Sequence, residues 1–150
     1  MIVEKITFNN RTFYAKFERI NQPLTPLLLE QHLQREYTIA VPLLKENLTN
    51  YLVIEYKGKE SQRFVHLVKH LFKTLEIAQY SIYEGKDKER IQVFISVEEM
   101  TLEDAHKQLT LISHALKTKM NKNWKCLPST SLPQSYNIVT LPYRIIQGNL

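Results

Sequence analysis

Cysteine occurs once in this chain, at Cys126, so no intrachain disulfide can form and no multi-cysteine zinc site can be assembled. With no catalytic partner evident around it, Cys126 reads as a small core residue rather than a nucleophile. Glycine is nearly as scarce: Gly58, Gly85 and Gly148 are too dispersed to make a glycine-rich phosphate loop. No apolar run approaches the roughly 18 residues a membrane-spanning helix needs. Residues Met1–Phe8 alternate in character and carry an acid early, unlike a secretion leader. The expectation is a soluble, cytoplasmic protein with no membrane partner.

What is present is an ordinary globular composition. At 150 residues and 43% hydrophobic side chains, the chain can bury a proper core, and one domain over residues 1–150 is expected. Its formal charge is +5 and its pI about 9.3, which permits polyanion binding without requiring it. The cations are unevenly spread, with Lys117, Lys119, Lys122 and Lys125 crowded around Trp124. Lysines beside an aromatic ring can neutralise phosphates and stack a base. The same residues also fit a helix end whose lysines complement the dipole, followed by a solvated loop.

Along the chain, residues 2–8 and 12–18 alternate around Asn9-Asn10-Arg11, which predicts an N-terminal hairpin within residues 1–21. Residues 22–50 read as a helix–strand unit. It comprises a helix over Leu27–Gln34 with Leu27, Leu28 and His32 on one face, a strand over Tyr37–Leu44, and a polar turn over Lys45–Asn50. That strand is expected to pair antiparallel with the next one. Ser61–Ile77 carries Phe64, Val68, Leu71, Phe72 and Leu75 at helical spacing. His66 and His70 have the spacing of a helical metal pair. They fall opposite the apolar stripe, beside Lys69 and Lys73, with no acidic or cysteine partner nearby in sequence. Tyr80–Tyr83 and Arg90–Val97 read as strands joined by a charged loop. Thr101 caps a helix whose buried face is Leu102, Ala105, Leu109, Ile112 and Leu116, with Asp104 at the capping-box position. Beyond it, Pro128 and Pro133 bracket a Ser/Thr-rich loop, and Asn137–Leu141 reads as a last short strand.

Residues 51–144 therefore run strand, helix, strand, strand, helix, strand. This is the α+β, βαββαβ order of ferredoxin-like and RNA-recognition folds: an antiparallel sheet with both helices on one face. The first strand, within Tyr51–Gly58, is expected to be central. Its alternation puts Leu52 and Ile54 on one face, and Val53, Glu55 and Lys57 on the other. An open face presenting Glu55 and Lys57, with the hairpin around Arg90 and Gln92, would be a ligand platform. Glu55 and Lys57 fit equally an exposed ion pair at a fraying strand end. The aromatic signature of the RNA-recognition motif is not apparent.

Five blocks, in order, resemble the primase–polymerase domain of the archaeo-eukaryotic primase superfamily. His32-Leu-Gln-Arg-Glu-Tyr-Thr38-Ile-Ala-Val-Pro-Leu-Leu44 is similar to the block that precedes the family's catalytic strand. Tyr51–Lys57 falls where that strand ends in Asp-x-Asp. Ser81 to Ile95 resembles the Ser…Gly…His hairpin that holds a nucleoside triphosphate. Asn123-Trp-Lys-Cys-Leu-Pro128 and Asn137-Ile-Val-Thr-Leu-Pro142 resemble the terminal "DR-x-FP" and "N-x-I-x-LP" blocks. The whole chain is also similar to a short family of epsilon-class proteobacteria without assigned function, to which a primase–polymerase-like fold is assigned. The resemblance implies a primase–polymerase-like fold with the βαββαβ core and an N-terminal αβ extension.

The departures fall on the chemistry. Glu55 and Lys57 stand at the two Asp positions, Arg90 near the hairpin histidine, and Trp124 and Lys125 where the family has Asp and Arg. Two-metal nucleotidyl transfer needs several carboxylates converging on cations about 4 Å apart. One Glu beside an ammonium does not supply them, so no catalytic residue, no metal ligand and no Mg²⁺ or other cofactor is expected. Phosphate binding can survive that loss. Glu55, Lys57, Ser81, Lys86, Arg90, Lys125 and Arg144 are the candidate nucleotide-binding residues if the family's geometry holds. Three readings stay open: a binder of nucleoside triphosphate or single-stranded nucleic acid, a scaffold that docks a protein partner, and an active nucleotidyltransferase.

Overall fold

In the computed structural model, residues 2–6, 15–19, 23–133 and 136–148 are described. Among them lie nine strands and three helices in the order β1 (Ile2–Ile6), β2 (Ala15–Arg19), α1 (Pro26–Leu33), β3 (Thr38–Pro42), β4 (Leu48–Lys57), α2 (Ser61–Thr74), β5 (Tyr80–Glu84), β6 (Arg90–Thr101), α3 (Leu102–Lys117), β7 (Trp124–Leu127), β8 (Ile138–Thr140) and β9 (Arg144–Gly148). The architecture is mixed α+β, and both sheets are antiparallel throughout.

The five-stranded sheet has the order β7-β4-β6-β5-β9. Alternation along β4 sends Leu52, Ile54 and Tyr56 to one face. There they meet Phe64, Val68 and Phe72 of α2 and Ala105, Leu109, Ile112 and Leu116 of α3 in the larger core. Both helices thus cover the same side of the sheet, as their apolar spacing requires. Each Val, Leu, Ile or Phe among them contributes roughly 1.5–3 kcal/mol by leaving water. The helix starts are fixed locally. The Thr101 hydroxyl accepts the Asp104 N–H at 3.2 Å, and Thr25 does the same for Leu28 ahead of Pro26 in the first turn. Cys126 is partly buried and packs against this core.

The other face of the sheet is not open, and this corrects the expectation. A second sheet, ordered β2-β1-β3-β8, lies against part of it. Val53, Leu127 and Val139 are buried between the two, with Val41, Leu43 and Phe94 alongside. The N-terminal hairpin is paired as expected, Ile2 opposite Arg19, while its Asn9-Asn10-Arg11 turn lies outside the described residues.

One pairing, one strand boundary and one position in the sheet differ from expectation. β3 does not pair with β4. It lies between β1 and β8, because the chain reverses through Glu46 and Asn47, both at positive φ, and enters the other sheet. β4 begins at Leu48, so residues 48–50 are strand rather than turn. β4 is interior, flanked by β6 and β7, but the middle position belongs to β6.

The fourth strand of the βαββαβ unit is β7, not 137–141. Trp-Lys-Cys-Leu pairs with β4, whereas Ile138–Thr140 leaves to join β3. The bend between them is pinned by the buried Asn137 side chain. Its Oδ1 accepts the Ser129 N–H at 2.6 Å, and its Nδ2 donates to the Ser129 carbonyl at 3.1 Å.

Candidate functional site

β4 ends, and β6 and β7 begin, at one end of the crevice between the two sheets. Here a cleft of about 760 Å³ opens, and its lining runs from Thr38 and Thr140 of the four-stranded sheet to the ends of β4, β6 and β7. The strand register assembles its charged floor. Glu55 lies between Gln92 on β6 and Lys125 on β7, and Lys57 lies opposite Arg90. Lys86 of the β5–β6 loop and Lys122 of the loop before β7 complete the rim. One carboxylate therefore stands among five cationic side chains.

Glu55 is fully engaged. One carboxylate oxygen lies 3.5 Å from Lys125 Nζ, and the other accepts from Gln92 Nε2 at 3.2 Å. The same Gln92 nitrogen donates to the Thr140 carbonyl at 2.8 Å, tying the two sheets together across the cleft. Arg90 makes an exposed pair with Asp87 at 3.4 Å, worth little in water. Lys57 projects from the end of β4, exposed to solvent.

The chain reversal at Gly58 is shaped by contact. A Cβ there would lie 2.6 Å from the Tyr56 hydroxyl, and that ring is held by stacking on Phe64 at 4.6 Å between centroids. On the far wall, Tyr143 stacks on His32 at 4.2 Å, and the Arg35 guanidinium sits 5.0 Å over the Tyr143 ring. Arg35 has φ 63°, a conformation costing a non-glycine residue about 1–2 kcal/mol. The ring contact and a bond from its Nη2 to the Lys86 carbonyl at 3.1 Å offset that cost and anchor the hairpin loop.

His32 is 1% exposed. Its Nδ1 accepts the Ile39 N–H at 3.0 Å, which leaves Nε2 to donate to the Leu141 carbonyl at 2.8 Å. Burial lowers its pKa, the bonds to the Leu141 and Pro142 carbonyls oppose that shift, and the charges of Lys86 and Arg35 add to it. The ring is neutral and structural. Burial likewise pushes the Cys126 thiol up, away from the reactive thiolate form.

Of the seven candidate residues, Glu55, Lys57, Lys86, Arg90 and Lys125 line this cleft. Ser81 and Arg144 do not. Ser81 is completely buried in β5, its hydroxyl without a hydrogen-bond partner, because the sheet face it occupies is covered. Arg144 sits on β9 and pairs with Glu84 at 3.4 Å, beside a different groove near α2. Trp124 is not a stacking platform. It is 5% exposed, packs against Phe64 and donates its indole N–H to Ser113 Oγ at 2.9 Å.

Thr140 was not singled out in the sequence, and Gln92 and Lys122, named there with the open face and the lysine cluster, were not among the seven nucleotide-binding candidates. The lysine cluster signalled Lys122, and the two-residue spacing from Arg90 placed Gln92 on the same face. Thr140 carried no signal, since only the path of β8 brings it here. His66 and His70 are exposed on α2. Among the described residues no group of three or more His, Cys, Asp or Glu side chains converges. The single Glu55, held by an ammonium, does not fit the donor set a pair of Mg²⁺ ions needs.

Residues 1–50 match a family described as "Domain of unknown function (DUF1882)". The match covers a third of the 150 residues and takes in His32, Arg35 and Thr38 but none of the cationic cleft residues. Among curated proteins, none matches the chain.

Proposed function

We propose that the cleft binds the phosphates of a nucleoside triphosphate or a single-stranded nucleic acid, in a primase–polymerase-like domain that no longer performs metal-dependent nucleotidyl transfer. The observation that carries this reading is the charge arrangement: five cations around one carboxylate that is already engaged by Lys125 and Gln92. Lysine and arginine side chains neutralise phosphate directly by charge-assisted hydrogen bonds. A cleft of about 760 Å³ is also of the size that holds small ligands. The position of Glu55 and Lys57 at the end of β4, between two sheets, is in keeping with the primase–polymerase resemblance of the sequence blocks.

Thermal unfolding with nucleotide tests it. At a ligand concentration of about 100 Kd the native state gains about 2.7 kcal/mol, a rise of roughly 5–10 °C for a chain of this size. The rise persists in EDTA and shrinks with salt. Lys57→Glu removes it, Arg90→Ala reduces it, and Lys107→Ala on the exposed side of α3 leaves it unchanged. A flat response to every nucleotide and to single-stranded DNA refutes the reading, as does Mg²⁺-dependent primer synthesis that Glu55→Ala abolishes.

A second reading, docking of a protein partner, is favoured by α1. Leu27 is 63% and Leu33 51% exposed there, and large exposed apolar side chains in one place mark interaction surfaces. Leu27→Glu would weaken partner binding while sparing the nucleotide response.

A further inference from the structure

A second groove, of about 520 Å³, lies on the helix side of the β5–β6 hairpin, with Lys69 and His66 of α2, Lys88 of the hairpin loop and Arg144 of β9 in its wall. The loop divides its cations between the two sites. Lys86 and Arg90 line the cleft, and Lys88, between them in sequence, lines the groove. The acids nearby are largely spent: Glu84 pairs with Arg144, Asp87 with Arg90, and Glu60 with Arg63. Glu89 of the loop lines neither site. Both flanks of the hairpin therefore present positive charge with Ile91 common to the two linings.

We propose that a single-stranded nucleic acid seated in the cleft continues over the hairpin tip into this groove, where Lys69 and Lys88 take its following phosphates. The inference rests on the phosphate-binding reading of the cleft and adds its polymeric form. A mononucleotide occupies one site and has nothing to place in the other. A strand of a few nucleotides engages both. Tracking a backbone with a line of cations is the sequence-tolerant mode of single-strand binding, and each phosphate contact adds to the salt dependence.

Fluorescence anisotropy with labelled oligo(dT) and oligo(U) of about 3, 6 and 12 nucleotides tests this. Affinity rises about tenfold from shortest to longest, and the double variant Lys69→Glu/Lys88→Glu cancels that gain. The variant keeps the wild-type melting temperature, the trinucleotide affinity and the thermal response to ATP. It lowers the salt slope of the longest oligomer by roughly 1.4, about 0.7 for each lost phosphate contact on a single strand. Equal affinity at all lengths, or a double variant that weakens short and long oligomers alike or spares the longest, overturns the inference while an ATP response leaves the cleft reading standing. A flat ATP response with Lys57→Glu inert refutes the cleft reading, and this inference with it.

Discussion

His32 ties the stability of this fold to pH. Both of its ring nitrogens are used, one accepting from Ile39 and one donating to Leu141, so a second ring proton would break the Ile39 bond and bury a charge near Arg35 and Lys86. Burial, the largest cause, puts the folded pKa below the ordinary histidine value of 6.5. The unfolded chain therefore binds the proton more readily. The stabilisation is complete above pH 6.5 and is lost as pH falls from there towards the folded pKa. The slope cannot exceed about 1.4 kcal/mol per pH unit. Between pH 6.5 and 5.5 the loss is therefore at most about 1 kcal/mol, an upper bound of roughly 2–4 °C of melting temperature for a chain of this size. Denaturant melts at successive pH values measure it, with His32→Asn as comparison. Asparagine keeps an acceptor for Ile39 but does not titrate. The other four histidines are common to both proteins, so the difference in acid slope isolates His32. Identical acid slopes would refute the argument.

Three further outcomes follow from the geometry. Glu55→Gln removes the one carboxylate among the cleft cations, so nucleotide affinity in EDTA should rise about three- to tenfold, from roughly 1 kcal/mol of relieved repulsion. A loss of affinity in calorimetric titration would show that the carboxylate itself holds the ligand. Gly58→Ala places a Cβ 2.6 Å from the Tyr56 hydroxyl, and the packed ring has little room to move. Overpacking of this kind costs about 1–3 kcal/mol, read as a lowered denaturant midpoint. Glu76 closes α2 with φ 59°, its N–H bonded to the Lys73 carbonyl. Glu76→Gly removes the left-handed penalty and should stabilise by roughly 0.5–1 kcal/mol; a lowered melting temperature would contradict this.

The helices were legible because their information is local. Phe64, Val68 and Phe72, and Ala105, Leu109, Ile112 and Leu116, are buried at the spacing the sequence displays, and the Thr101 cap is formed. The faces of β4 were legible for the same reason. Strand partners were not. Nothing in Thr38–Pro42 distinguishes a neighbour ten residues on from one a hundred residues on, and the three-residue β8 is too short to show alternation. β7 was hidden because Lys122 and Lys125 flank Trp124 and give the segment the look of a charged loop. At the site, five of the seven candidates converge: Glu55, Lys57, Arg90 and Lys125 share one face of three paired strands, and the β5–β6 loop brings Lys86 to them. Ser81 and Arg144 miss because their positions depend on the second sheet and on β9, neither of which local pattern reveals.

The path of the chain after β7 governs when the protein can be assembled. β7 belongs to the five-stranded sheet, β8 to the four-stranded one, and β9 to the five-stranded one again. The segment matched as a family, residues 1–50, supplies β1, β2 and β3 but leaves the far edge of β3 bare until Ile138–Thr140 arrive. During synthesis, at about 5–20 residues per second, that edge waits several seconds for its partner. Such a wait exposes an unpaired strand able to associate with other chains. Long-range pairing also slows folding. Residues 1–50 are thus a sequence unit without being a folding unit, and the nascent chain must be made through Thr140 before either the four-stranded sheet or the cleft it walls can exist.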